Sequence, residues 1–190
     1  YRDVRFQFVL FGADPAAVAR LLPEPLEADP AGRCAAIGIR IAHCTSYGAF
    51  DEAAVQMACT FRGQQGWYCS HVWHTGPAGI AAGREIYGTP KFLAQIELAY
   101  SGDDCATKAG TGGAVEIEIR SRAGDPARPE DLPVMAPSYR LKVIPRADGP
   151  GPAIKQLVDG AAAGCDRTIA WCRRGAGTVR FTASPSRDLT

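Results

Sequence analysis

Hydrophobic and polar positions alternate along most of this chain, and the alternation is mainly that of strands. Residues 4–11 (VRFQFVLF) are rich in β-branched and aromatic side chains and read as a strand. Asp14-Pro15 opens a short helix through Leu22: aspartate can cap free N–H groups, proline suits the first helical position, and Pro23 and Pro25 end it. Residues 34–42 predict a second strand. Residues 53–61 and 67–73 predict a hairpin around the glycine-containing loop 62–66. Residues 93–100 and 115–120 alternate with period two on either side of a glycine-rich stretch, 107–113. Residues 122–137 hold four of the fourteen prolines and little periodicity, and read as a loop. Residues 139–144 predict a strand, 152–158 a helix stopped by Gly160, and 169–172 and 178–182 two closing strands.

The total is about ten short strands, mostly consecutive, with two or three short helices. That pattern predicts an α+β fold, mainly antiparallel β, its sheet curled into a cone or barrel with the helices at its margins. Residues 1–190 read as one domain, without repeat, low-complexity tract or linker.

Composition narrows the function. Hydrophobic residues make up 46% and charged residues 22%, the balance of a soluble globular protein, and the formal net charge is +1. With no basic surplus and no run of like charge, nucleic acid is not an expected partner. No apolar run reaches membrane-spanning length and no signal peptide is visible, so a cytoplasmic protein without a membrane partner is the expectation. The seven cysteines are irregularly spaced and form no CxxC, which argues against a disulfide framework or a zinc site. His71 and His74 lie in one predicted strand three residues apart, hence on opposite faces, and do not suggest a shared metal. No metal and no cofactor are expected.

Lysine is scarce, at positions 91, 108, 142 and 155, and Lys91 stands apart within Pro90-Lys91-Phe92-Leu93-Ala94. A free lysine is almost wholly an ammonium at neutral pH, whereas apolar burial disfavours the charged form and frees an amine nucleophile. On the residues alone the favoured reading is a strand-edge lysine with its ammonium in water. Arg84 and Glu85 read as an ion pair bracing the turn before Lys91, and Tyr87 as a possible substrate contact four residues upstream. The glycines at 110–113 do not make a phosphate loop, because neither Lys-Ser/Thr nor a helix follows them.

The run Gly83–Lys91 (GREIYGTPK) resembles the signature of the acetoacetate decarboxylase family. The resemblance extends over nearly the whole chain. It includes Leu21–Glu27 (LLPEPLE), Phe50-Asp-Glu-Ala53, Pro77-Ala-Gly-Ile80, Pro137–Pro145 (PSYRLKVIP) and Ala170-Trp171. It implies that Lys91 forms a Schiff base with a small keto-acid substrate, the iminium acting as electron sink for loss of the β-carboxylate as carbon dioxide. The activated lysine of acetoacetate decarboxylase is itself a standard example of this chemistry. The resemblance further implies a catalytic role for Glu52, a homo-oligomeric assembly, and a substrate-side arginine on the first strand. The ungapped alignment puts that arginine at Val4; Arg5, preferred over Arg2, is the substrate-binding candidate together with Tyr87. Two departures stand out. The family's second lysine, directly after the nucleophile, is Phe92 here, and a second acidic residue falls on Ile37. These leave open whether the same lysine serves aldol, dehydration or cyclisation chemistry on another keto acid. A noncatalytic small-molecule binder is the third reading.

Overall fold

The computed structural model describes residues 1–161 and 168–182; Cys165 lies outside them. Most of the alternating segments become strands: β1 (Arg2–Gly12), β2 (Glu27–Ala28), β3 (Arg33–His43), β4 (Phe50–Phe61), β5 (Gln64–His74), β6 (Lys91–Leu93) and β7 (Gln95–Ser101). They continue with β8 (Asp104–Gly110), β9 (Ile117–Pro126), β10 (Ser138–Pro145), β11 (Pro152–Asp159) and β12 (Arg173–Phe181). Helix α1 (Pro15–Leu21) has Asp14 accepting the Ala16 N–H at 3.0 Å, the cap expected of Asp-Pro. A second helix, α2 (Pro77–Ala82), runs directly into a π-helical turn, Gly83–Tyr87.

Two sheets result. The larger has the order β1-β3-β4-β5-β10-β11, with β2 added to β4 and β6 to β5; the smaller has the order β12-β9-β8-β7. Pairing is antiparallel except where β6 and β10 run parallel to β5, β10 along its first half and β6 along its last residues. The expected mainly antiparallel α+β architecture is present. The sheets are open and curled; among the described residues they do not close into a barrel.

The core lies between the sheets. Val9, Ala36, Val55 and Trp73 from the larger sheet meet Ala109, Ile117 and Ile119 from the smaller one. Polar ties accompany the apolar contact. The Gln7 amide donates to the Cys105 carbonyl and the Ser121 hydroxyl, both at 2.9 Å, and accepts from the Thr107 hydroxyl at 2.6 Å. The Trp73 indole donates to the buried Glu116 carboxylate at 2.7 Å. A second cluster fills the space under α1, with Val18, Leu22 and Leu26 on Cys34, Met57 and Tyr139.

Several elements differ from the sequence reading. Residues 152–158 form no helix. They are β11, paired antiparallel with β10 (Leu141 opposite Leu157), because the glycine turn at 149–151 folds them back as a hairpin. Ile154 and Val158 stand four apart and suit a helix, yet they are β-branched, and a waiting partner strand decides the outcome. Residues 122–126, expected in a loop, extend β9 opposite β12; a short 3₁₀ turn follows at Pro129–Asp131. The glycine-rich stretch 107–113 begins as the last half of β8. Residues 169–172 are not a strand, and β12 begins at Arg173, ahead of the expected position 178. Among the described residues no helix is long and apolar enough to cross a membrane. The six described cysteines are free thiols.

One contact sets how closely the sheets approach. A Cβ on Gly38 would lie 2.1 Å from Thr107 Oγ1. Gly38→Ala is therefore expected to cost about 1–3 kcal/mol through overpacking. Urea unfolding should show a lower midpoint with an unchanged slope, and Thr107→Ala in the same chain should recover part of the loss, a non-additivity that independent sites would not show.

Candidate active site

The site is built on one face of the larger sheet by strand register. Glu52 on β4 stands opposite His74 on β5, and Val72, two residues earlier on β5, stands opposite Lys91 on β6. Residues directly opposite, or two apart on one strand, share a face. Glu52, His74 and Lys91 therefore converge although they are far apart in sequence. Two cross-sheet rows form this face: Phe8, Ile37, Ala54, Val72 and Lys91 in one, Phe6, Ile39, Glu52 and His74 in the other. Ile37, Ala54, Cys69 and Val72 are buried together and make an apolar floor.

The segment between β5 and β6 positions the lysine. Pro77 occupies the first turn of α2, and small residues bring its backbone close to the strands. A Cβ on Gly79 would lie 2.7 Å from His74 Cε1, and one on Gly83 would lie 2.8 Å from Lys91 Cδ. Gly88 ends the π turn with φ of 70° and packs against the Lys142 backbone, where any Cβ would clash. The Thr89 N–H donates to the Gly83 carbonyl at 3.0 Å, and the Arg84 guanidinium donates to the Lys91 carbonyl at 3.2 Å. Arg84 thus braces the turn through the backbone of Lys91, in place of the expected pairing with Glu85.

Lys91 Nζ lies 2.7 Å from Glu52 Oε2, and only 16% and 15% of these two side chains are exposed. The ammonium also sits over the Phe50 ring, 5.8 Å from its centroid. Phe50 in turn stacks on the imidazole of His74 at 4.4 Å. His74 is fully buried; its Nδ1 accepts the Gly76 N–H at 2.8 Å, and its Nε2 lies 3.9 Å from Glu52 Oε2. Burial, reinforced by the charge of Lys91, lowers the His74 pKa to about 4, so the ring is neutral at physiological pH with its proton on Nε2. Cys69 is not a competing nucleophile: burial pushes its thiol up to about 11. A shallow cleft of about 490 Å³ borders the cluster between α2 and β6, lined by Pro77, Ile80, Arg84, Lys91, Phe92 and Leu93.

The other sequence candidates separate. Phe92 turns its ring to the inter-sheet core and meets Trp73 edge to face at 5.3 Å, behind the lysine. Tyr87 is 42% exposed in the π turn. It is not among the residues that line the cleft beside Lys91. Arg5 is not brought to Lys91. Alternation along β1 turns it to the opposite face, where its guanidinium lies over the Tyr100 ring at 5.0 Å. Val4 faces the site, packed with Ile41 and Phe50. His71 stacks near Trp73 on the far face from His74, and among the described residues no cluster of metal-ligating side chains forms. His74 was missed as a site residue; its place next to Val72 in the period-two pattern, on the strand leading into Gly-Pro, was the available signal.

Both the sequence and the two-sheet fold have counterparts among known proteins. The family model for acetoacetate decarboxylase matches residues 2–190, and the chain belongs to that family. Acetoacetate decarboxylase 1 of Bradyrhizobium diazoefficiens is 31% identical over 160 residues, covering 82% of this chain and 63% of that protein. The chain thus spans less than two thirds of that relative's length. The fold is shared with the crystal structure of acetoacetate decarboxylase from Legionella pneumophila, with a TM-score of 0.83 and 23% identity over 95% of this chain and 72% of that one. It is also shared with the enduracididine biosynthesis enzyme MppR complexed with the condensation product of pyruvate and imidazole 4-carboxaldehyde, with a TM-score of 0.78 and 18% identity over 96% and 76% of the two chains.

The depressed His74 pKa has a thermodynamic consequence. An unfolded histidine, with its ordinary value near 6.5, takes up a proton more readily than the folded one. Stability from this group is present above about pH 6.5 and is lost as pH falls toward 4, by an amount on the order of 3 kcal/mol. Urea midpoints measured from pH 7 to pH 4.5 should fall more steeply for the wild type than for His74→Leu, which lacks the titrating ring.

Proposed function

We propose that this protein is a Schiff-base lyase that decarboxylates a small β-keto acid through Lys91. The observation that carries the reading is the 2.7 Å Lys91–Glu52 contact on an otherwise apolar face. A carboxylate so placed can accept the ammonium proton, leaving an amine free to attack the substrate ketone. The C–N bond forms, and the protonated Glu52 returns its proton to the departing hydroxyl, which leaves as water. The product is a cationic iminium on Lys91 beside an ionised Glu52. Cleavage of the bond to the β-carboxylate releases carbon dioxide and sends the electron pair into the iminium, giving a neutral enamine. Protonation at carbon and hydrolysis then free the ketone. Gly83 against the lysine stem and Phe92 behind the strand restrict the amine to one approach. No cofactor is required by this sequence of steps.

A second reading is supported by the site face itself. Val4 and Ile37 stand where the family alignment expects an arginine and an acidic residue, and both lie among apolar neighbours. Without that charged pair the site has less to hold an acetoacetate carboxylate. The same iminium would then serve aldol or dehydration chemistry on a different keto acid; the MppR structure of the same fold holds a condensation product of pyruvate and an aldehyde. We expect a cytoplasmic homo-oligomer in either case, and Tyr87 as a contact for substrate.

Borohydride reduction in the presence of a panel of keto acids tests the nucleophile. The wild type is expected to gain the mass of a reduced adduct on Lys91, and Lys91→Met to gain none; an unmodified wild type would refute the imine. Carbon dioxide release from the trapping substrates separates the two readings. Glu52→Gln should lower turnover by roughly 10²–10⁴, the usual span for a lost general acid–base group.

A further inference from the structure

His74 presents a buried polar atom that the reaction above does not use. Its Nδ1 is occupied by the Gly76 N–H, which fixes the proton on Nε2. That N–H has no hydrogen-bond partner among the described residues, although the residue is wholly buried. A buried donor left unpaired is costly, and native structures rarely keep one without a use. The ring has no freedom to turn elsewhere. Phe50 covers one face at 4.4 Å, and the edge bearing Cε1 and Nε2 presses on Gly79, where a Cβ would come within 2.7 Å of both atoms. The nearby acceptor is Glu52 Oε2 at 3.9 Å, beyond hydrogen-bond reach while that oxygen holds Lys91 at 2.7 Å.

We propose that His74 is a positioning residue whose Nε2–H receives the Glu52 carboxylate when the charge on Lys91 is consumed. This rests on the lyase reading. At the iminium stage Glu52 faces a cation. When carbon dioxide leaves, the electron pair of the broken C–C bond becomes the enamine double bond, and the C=N pair becomes a lone pair on a neutral nitrogen. Glu52 is then a largely buried anion beside an apolar floor that has lost its 2.7 Å cationic partner, a state that burial penalises. A shift of about 1 Å brings its oxygen within hydrogen-bond distance of the His74 N–H. The donor is neutral, so it stabilises the carboxylate without placing a second cation beside the iminium of the preceding stage. It holds Glu52 until protonation at carbon restores the iminium. Lys91 and Glu52 are the charged groups facing the ring, and the low pKa of His74 keeps its N–H in place across the working pH range.

Two measurements test this. In Lys91→Met the cation is removed permanently, so the His74 Nε2–H proton resonance should move downfield and exchange more slowly with water than in the wild type. Adding Glu52→Gln should reverse most of the shift. A resonance indifferent to both changes overturns the proposal, whatever the fate of the imine. In the enzyme itself, His74→Leu should lower kcat roughly ten- to hundredfold, the rate equivalent of one hydrogen bond to a charged group. Borohydride should still trap the first adduct on Lys91. His74→Gln, which retains an N–H, should recover most of the loss. Equal loss in the Leu and Gln variants would mark a purely structural ring and overturn the proposal. Absence of a trapped adduct in the wild type would instead remove the imine reading, and the resonance experiment alone would then decide whether His74 receives Glu52.

Discussion

The whole site depends on three residues of parallel pairing. Val72 opposite Lys91, Trp73 opposite Phe92 and His74 opposite Leu93 attach β6 to the end of β5. Parallel strands cannot be joined by a tight hairpin and need a crossover. Here α2 and the π turn supply it within residues 75–90. The segment manages this by lying directly on the strands it joins. Gly79 rests on His74, Gly83 on the Lys91 stem and Gly88 on the β10 backbone. The crossover is therefore also a wall of the cleft beside Lys91, and the segment Gly83–Lys91 is at once a connection and the lining of that cleft.

Lys91 and Glu52 form an ion pair beside an apolar floor on this face. The floor of Ile37, Ala54, Cys69 and Val72 provides no competing hydrogen bonds, and the charged pairs nearest in sequence lie elsewhere: Arg40 and Asp51 meet at 2.9 Å on the opposite face. A buried ion pair is seldom a device for stability, because desolvation offsets the attraction. In the proposed reaction it has a chemical use, since the carboxylate exchanges a proton with the amine at close range.

Much of this was legible in the sequence. Period-two alternation located the strands of the larger sheet, and the Phe-Asp-Glu-Ala and Pro-Lys motifs pointed to Glu52 and Lys91. What failed depended on partners. Residues 152–158 carry a spacing compatible with either helix or strand, and only the presence of β10 decides between them. Arg5 and Val4 differ by one position, and which of them faces Lys91 is settled by the β1–β3 register, not by composition. His74 was invisible as chemistry because its tautomer, its burial and its orphan proton come from Gly76, Gly79 and Phe50, residues whose own sequence character is unremarkable.

The row that ends at Lys91 divides the molecule's capacity for change. Phe8, Ile37 and Ala54 contribute side chains to the site wall, but the order of their strands comes from backbone ladders that are indifferent to side-chain identity. Lys91, by contrast, is locked from behind by Phe92 in the inter-sheet core. Bulk can be moved along this floor, enlarging it at Ile37 or filling it at Ala54, while Lys91 keeps its position. Such a scaffold has plastic surroundings beside a rigidly held lysine. Divergence within it would reshape the surface around Lys91 long before it moved the lysine itself.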